Sequence, residues 1–176
     1  MNQDNQKSRQ IAVLNLLRQG QDSAAKLDAE FIQLLNVNET DGRLLNLLQL
    51  NGRQTAGELA TKSGLTTGAI TTALDRLEKA NYVQRERDVK DRRKVFVELT
   101  PLALNIGGQI YGPIGSATLA HLESFSEDQL QTIEKFLHLF DAVNAKGAEI
   151  LKDARWNDPN DKIKATEQFN QKFNES

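Results

Sequence analysis

Cysteine is absent from the 176 residues. That excludes disulfides, thiolate metal sites and thiol-based redox sensing. Histidine occurs only as His121 and His138, a separation that matches no common metal-ligand spacing, so neither a metal nor any other cofactor is expected. No apolar run approaches the roughly 20 residues needed to cross a bilayer. The first ten residues are polar and lack the apolar core of a secretory signal. A cytoplasmic location without membrane contact is the resulting expectation. There is also no paired Ser/His/Asp set, phosphate-binding glycine loop or carboxylate pair in an apolar setting, so an enzyme is not expected.

The net charge of −2 does not itself suggest a polyanion as partner. The distribution does. Between Arg76 and Lys94 stand Arg76, Lys79, Arg85, Arg87, Lys90, Arg92, Arg93 and Lys94 against Glu78, Glu86, Asp88 and Asp91. A short basic stripe on an otherwise acidic chain favours one face for phosphate.

Helical periodicity runs through Ile11, Leu14, Leu17, Ala24, Leu27, Phe31 and Leu34, predicting one long amphipathic helix with Gly20 as a weak point. Thr40 is read as the cap of a second helix bearing Leu44, Leu45, Leu47, Leu48 and Leu50, closed by Asn51-Gly52. Thr55 with Glu58 forms a capping-box pattern, Gly64 ends that helix, and Thr66 caps the next. Ile70, Ala73, Leu74 and Leu77 make the inner face of this last helix, and Thr67, Gly68, Thr71, Thr72, Asp75 and Arg76 its outer face. Two helices joined by a short glycine-containing turn are a helix-turn-helix pattern. The period then changes to two, over Tyr82–Arg87 and Val95–Leu99 with a charged loop between, which predicts a β-hairpin wing. Thr100-Pro101 starts a helix expected to be interrupted at Gly107-Gly108 and Gly112-Pro113, with a kink near Pro113. Ser126 with Gln129 opens a final long helix carrying Leu130, Ile133, Leu137, Phe140, Gly147 and Leu151. The polar tail admits a short helix through Ile163, Thr166, Phe169 and Phe173, or disorder. The fold class is therefore mainly α with a small β-hairpin: a winged helix-turn-helix over 39–100, flanked by helical regions at 1–38 and 101–154 and a tail at 155–176.

In order, Leu74-Asp75-Arg76-Leu77-Glu78-Lys79, Tyr82-Val83, Asp88-Val89-Lys90-Asp91-Arg92-Arg93 and Leu99-Thr100-Pro101 resemble the MarR family of bacterial transcription regulators. The resemblance is strongest over about 40–101. It implies a homodimer built by the first and last helices, a palindromic operator on double-stranded DNA, repression as the default, and a small-molecule effector in a crevice whose residues the sequence does not identify. The pattern is not complete: Thr72 and Ala73 stand where members often carry a basic or polar residue.

The expected interface follows from these parts. Thr66, Thr67, Gly68, Thr71 and Thr72 form the start of the recognition helix, which enters the major groove. Arg92 and Arg93 tip the wing toward the minor groove. By the resemblance Arg93 inserts, with Asp91 holding its guanidinium. Arg76, Arg85, Arg87 and Lys90 are assigned to the phosphate backbone. Two plainer roles compete: a solvated threonine face, and wing charges that only brace the hairpin. The region of Tyr111, Gly112 and Pro113 is read as either a lever for ligand-driven spacing changes or ordinary packing. The rival to a DNA-binding regulator is a winged-helix module that binds protein without DNA.

Overall fold

The computed structural model describes residues 3–89, 91, 94–153 and 161–175. It divides into two compact units, Met1–Gly112 and Pro113–Ser176.

The first unit begins with α1 (Gln3–Leu34), α2 (Glu39–Asn51), the two-residue strand β1 (Gln54–Thr55) and α3 (Ala56–Ser63). It continues with α4 (Thr67–Lys79), β2 (Val83–Arg87), β3 (Val95–Leu99) and most of α5 (Pro101–Leu122). Leu44, Leu45 and Leu48 of α2, Leu59 of α3, Ile70, Ala73, Leu74 and Leu77 of α4, Val83 of β2 and Val97 of β3 form the buried core. All four inner-face residues expected on α4 are in it. The sheet is antiparallel in the order β1-β3-β2, with Val83 opposite Leu99 and Arg85 opposite Val97. β1 was not expected. It pairs Gln54 with Val97 and Thr55 with Phe96, and two residues are too few to display a period of two.

Local signals set the helix ends. Thr55 Oγ1 accepts from Glu58 N–H while the Glu58 carboxylate accepts from Thr55 N–H at 2.7 Å, a complete capping box. Thr66 caps α4 by accepting from Ala69 N–H. Gly64 (φ +73°) closes α3 in the left-handed region, where a side chain is strained. Asn81 (φ 60°) turns the chain from α4 into β2, the one common non-glycine solution. The α2 cap is corrected: Asn38, not Thr40, accepts from Asp41 N–H at 2.9 Å. Asn38 is a stronger capping residue than threonine and sits where the chain is still extended. Thr40 is the second residue of the helix.

α5 also departs from expectation. It starts at Thr100-Pro101 as read, with Ala103 N–H on Thr100 Oγ1, but it is continuous through Gly107-Gly108 and Gly112-Pro113. A proline deletes one backbone bond, and helical turns on either side can carry the helix across. Tyr111 on α5 donates to Asp28 of α1 at 2.7 Å and meets Phe31 edge-on at 5.1 Å. Burial, with help from the Asp28 bond, pushes the Tyr111 phenol well above its usual range.

In the second unit α6 (Glu127–Asp153) opens with the Ser126/Gln129 box. α7 (Asp161–Glu175) settles the tail as a helix over those residues. Phe169 and Phe173 stack at 5.5 Å beside Gly147 of α6. Lys146 donates to the Phe173 carbonyl at 2.6 Å and lies over its ring. That carbonyl is in the last turn of α7, where a cation complements the helix dipole.

Candidate nucleic-acid interface

Helix α4 presents Thr67, Gly68, Thr71 and Thr72 to solvent, opposite the buried face that anchors it. Thr71 donates its hydroxyl to Thr67 O and Thr72 to Gly68 O, both at 3.0 Å. Each hydroxyl thereby turns its lone pairs outward as acceptors and fixes its methyl group, a combination suited to base donors and thymine methyls. Beyond its chain neighbours and the backbone of its own helix, Gly68 has nothing within 4 Å of where a Cβ would stand, so an approaching surface meets bare backbone. There is no acid in the first turn of α4. At α3, by contrast, the Glu58 carboxylate occupies the helix start. The Thr55 backbone N–H, then its hydroxyl, hold that carboxyl below its ordinary pKa.

The structure separates the three arginines assigned to phosphate. Arg76 forks onto Asp41 of α2, Nη2 to Oδ1 at 2.6 Å and Nε to Oδ2 at 3.0 Å. Asp41 is only 3% exposed, and Asn38 Nδ2 donates to the same Oδ2 at 3.1 Å. The Asp41 bond raises the Arg76 pKa further above its usual value. Arg85 reaches from β2 to α4, with Nη2 on Asp75 at 2.6 Å and Nη1 on Glu78. Its pKa is raised chiefly by the Asp75 hydrogen bond. Arg87 stands exposed at the outer end of β2, opposite Val95. Lys90, Arg92 and Arg93 lie outside the described residues, and with them the expected Asp91–Arg93 pair. At the wing base, Asp91 N–H donates to Asp88 Oδ1 at 2.8 Å, Asp88 N–H to Lys94 O, and Lys94 N–H to Asp91 O. These three bonds close the loop on itself between β2 and β3.

Two contributors were missed by sequence reasoning. Asp41 carried a signal, since Asn38 followed three residues later by an acid has capping spacing, but nothing local links it to Arg76. Arg53, just before β1, stacks over Phe96 of β3 at 4.6 Å and adds a cation to the sheet; no sequence pattern marks it. Among the described residues no cluster of acids or histidines could hold a metal ion, and no helix is long and apolar enough to cross a membrane.

Comparison with known proteins agrees with this geometry. The family model described as "MarR family" matches residues 37–95. An uncharacterized HTH-type transcriptional regulator of Bacillus subtilis strain 168, YcgE, is 37% identical over 122 residues, covering 69% of this chain and 74% of the relative. Among solved structures, a MepR mutant from a Staphylococcus aureus clinical isolate superposes with a TM-score of 0.58 at 15% identity, over 74% of this chain and 95% of that one. YusO from Bacillus subtilis does so with 0.51 at 22% identity, over 81% and 99%. These two share the fold. With the family model and the relative's coverage added to the winged helix described above, the chain belongs to the MarR family of transcriptional regulators, which are not enzymes.

Proposed function

We propose that the protein is a repressor that binds a palindromic operator as a symmetric homodimer and is released by a small ligand. The observation that carries this reading is the outward face of α4. Thr67, Gly68, Thr71 and Thr72 are exposed on a helix whose opposite face is locked in the core, and a basic hairpin follows directly in the chain. A solvated face alone has no need of that hairpin. The basic loop adds charge of the sign that DNA requires, in the form of Lys90, Arg92 and Arg93. Threonines discriminate bases less sharply than arginine does, so the wing and the symmetric repeat supply the remaining specificity.

Selection of bound duplexes from a random pool tests the proposal. The expected outcome is a palindrome whose half-sites lie about 10–10.5 bp apart or a multiple of that. A pool with no enriched sequence at low salt removes the reading. On the recovered duplex, Arg93→Ala is expected to weaken binding by about 1–3 kcal/mol, the range of one specific contact, while folding and dimerisation persist. Release by a ligand requires that the ligand prefer a state with mismatched helix spacing. The Tyr111–Asp28 strut between α5 and α1 is the element such a ligand would bias.

A further inference from the structure

We propose that Asp75 and Arg76, neighbours on α4, are positioning residues that fix the roll of the recognition helix. On this reading Arg76 is not a contact to phosphate. The inference rests on the DNA-binding reading above and deepens it.

The two residues are clamped in opposite senses. Arg76 gives its guanidinium to Asp41 of α2, 35 positions earlier, and Asp75 gives its carboxylate to Arg85 of β2, which also takes Glu78. One helix neighbour supplies the anion on one flank, and the wing strand supplies the cation on the other. A switch of both residues to solvent contacts would strand Asp41, which is almost fully buried and whose Oδ2 already receives Asn38 Nδ2. Burying a carboxylate without its cation is unfavourable, so Arg76 is held in place by its partner's environment.

The clamp lies one turn beyond the face that reads bases. Thr71 and Asp75 are four apart, as are Thr72 and Arg76, so each threonine sits above one arm. Side-chain tips lie about 5–6 Å from the helix axis. A roll of about 10° therefore moves them by about 1 Å, enough to break a two-bond fork. The same roll would carry Thr71 and Thr72 off their base edges. The Arg85 pairs, whose acids are exposed, contribute little to stability. Their product is orientation.

The test uses the full-length protein, the duplex recovered by the wild-type chain from a random pool, and a scrambled duplex of equal length. The positioning role predicts that Arg76→Lys, which keeps the charge and loses the fork, lowers affinity for the recovered duplex about tenfold. Asp41→Asn is expected to do the same. Both leave scrambled-duplex affinity and the slope of log K against log salt unchanged. The Asp41→Asn, Arg76→Lys double variant loses no more than either alone. A phosphate contact predicts the opposite. Arg76→Lys would bind normally, Asp41→Asn would free the guanidinium and raise affinity, and Arg76→Gln would reduce the salt slope by about two per dimer. Any of those three results overturns the proposal. Thermal unfolding of each variant identifies one that fails to fold, and the remaining variant then decides. If the wild-type chain enriches no duplex, the DNA-binding reading itself has failed, an outcome separate from wild-type binding with indifferent variants.

Discussion

Single side chains already carry much of the plan, and the Thr55/Glu58 box shows how. Each residue satisfies a backbone N–H of the other at the start of α3. Thr55→Ala is expected to cost about 1 kcal/mol, the usual loss for a cap, measured by urea unfolding. The pH dependence has a definite sign. Glu58 has a depressed pKa in the folded chain, first because it accepts the Thr55 backbone N–H. Its contribution is therefore complete above the ordinary glutamate pKa and disappears as pH falls through the lower folded value. Glu58→Gln should be less stable than the wild type at neutral pH, and the gap should narrow in acid. A gap constant down to pH 3 would mean that the charge plays no part in the cap. This box was legible because both partners sit within three residues and each is a common capping type; the Asn38 cap, at the same spacing, was misplaced onto Thr40. Asp41–Arg76 was not legible: the same Arg76 that reads as a phosphate contact in sequence is drawn onto a buried carboxylate by a packing that no local pattern encodes.

Among the elements, legibility tracked the clarity of the local pattern. α4 was readable from its inner apolar face and its cap, and β2 and β3 from their alternation. β1 was too short to announce itself. α5 was misjudged because glycine and proline weaken a helix without compelling it to stop. Two glycines in helices make the energetic point, since alanine at each gains about 1 kcal/mol of helix propensity and the surroundings decide the net sign. At Gly147 a Cβ would stand 3.8 Å from both Phe169 and Phe173 of α7, an ordinary contact. Gly147→Ala is therefore expected to stabilise the α6–α7 hairpin by about 0.5–1 kcal/mol. At Gly42 the same atom would lie 2.5 Å from Ile32 Cγ1 and 2.6 Å from its Cδ1. Isoleucine is stiff at χ1, and overpacking typically costs about 1–3 kcal/mol, which exceeds the propensity gain. Gly42→Ala should thus destabilise the α1–α2 contact. Thermal denaturation of the two variants side by side checks the pair; shifts of the same sign would show that helix propensity, and not the neighbour, governs both.

For the whole molecule, the apolar surface is distributed in a way that a lone chain does not explain. The buried core lies in α2, α3, α4 and the sheet, with Leu35 from the α1–α2 turn. α1 leaves Ile11, Leu14 and Leu16 exposed, and α6 leaves Leu137, Leu139, Val143 and Leu151 exposed. Exposed apolar faces of that kind mark association sites, and a symmetric pair would cover both copies equally. On the proposed function, dimerisation would determine the DNA affinity, because one α4 and one wing would touch a single half-site. Joining two half-site contacts makes the second intramolecular, which raises affinity by about 100- to 10,000-fold without any new contact. Leu137→Glu puts a charge on an exposed position of α6 that is not among the residues of the winged-helix core, so the fold of that core should persist while the pair separates. In sedimentation, the wild type is expected to be dimeric at micromolar concentration and the variant monomeric. The variant should bind the recovered palindrome at least about 100-fold more weakly, yet bind a duplex holding one half-site about as well as the wild type does. A monomeric variant with undiminished affinity for the full palindrome would mean that the two half-sites are not read together, and that the apolar helix faces serve something other than DNA recognition.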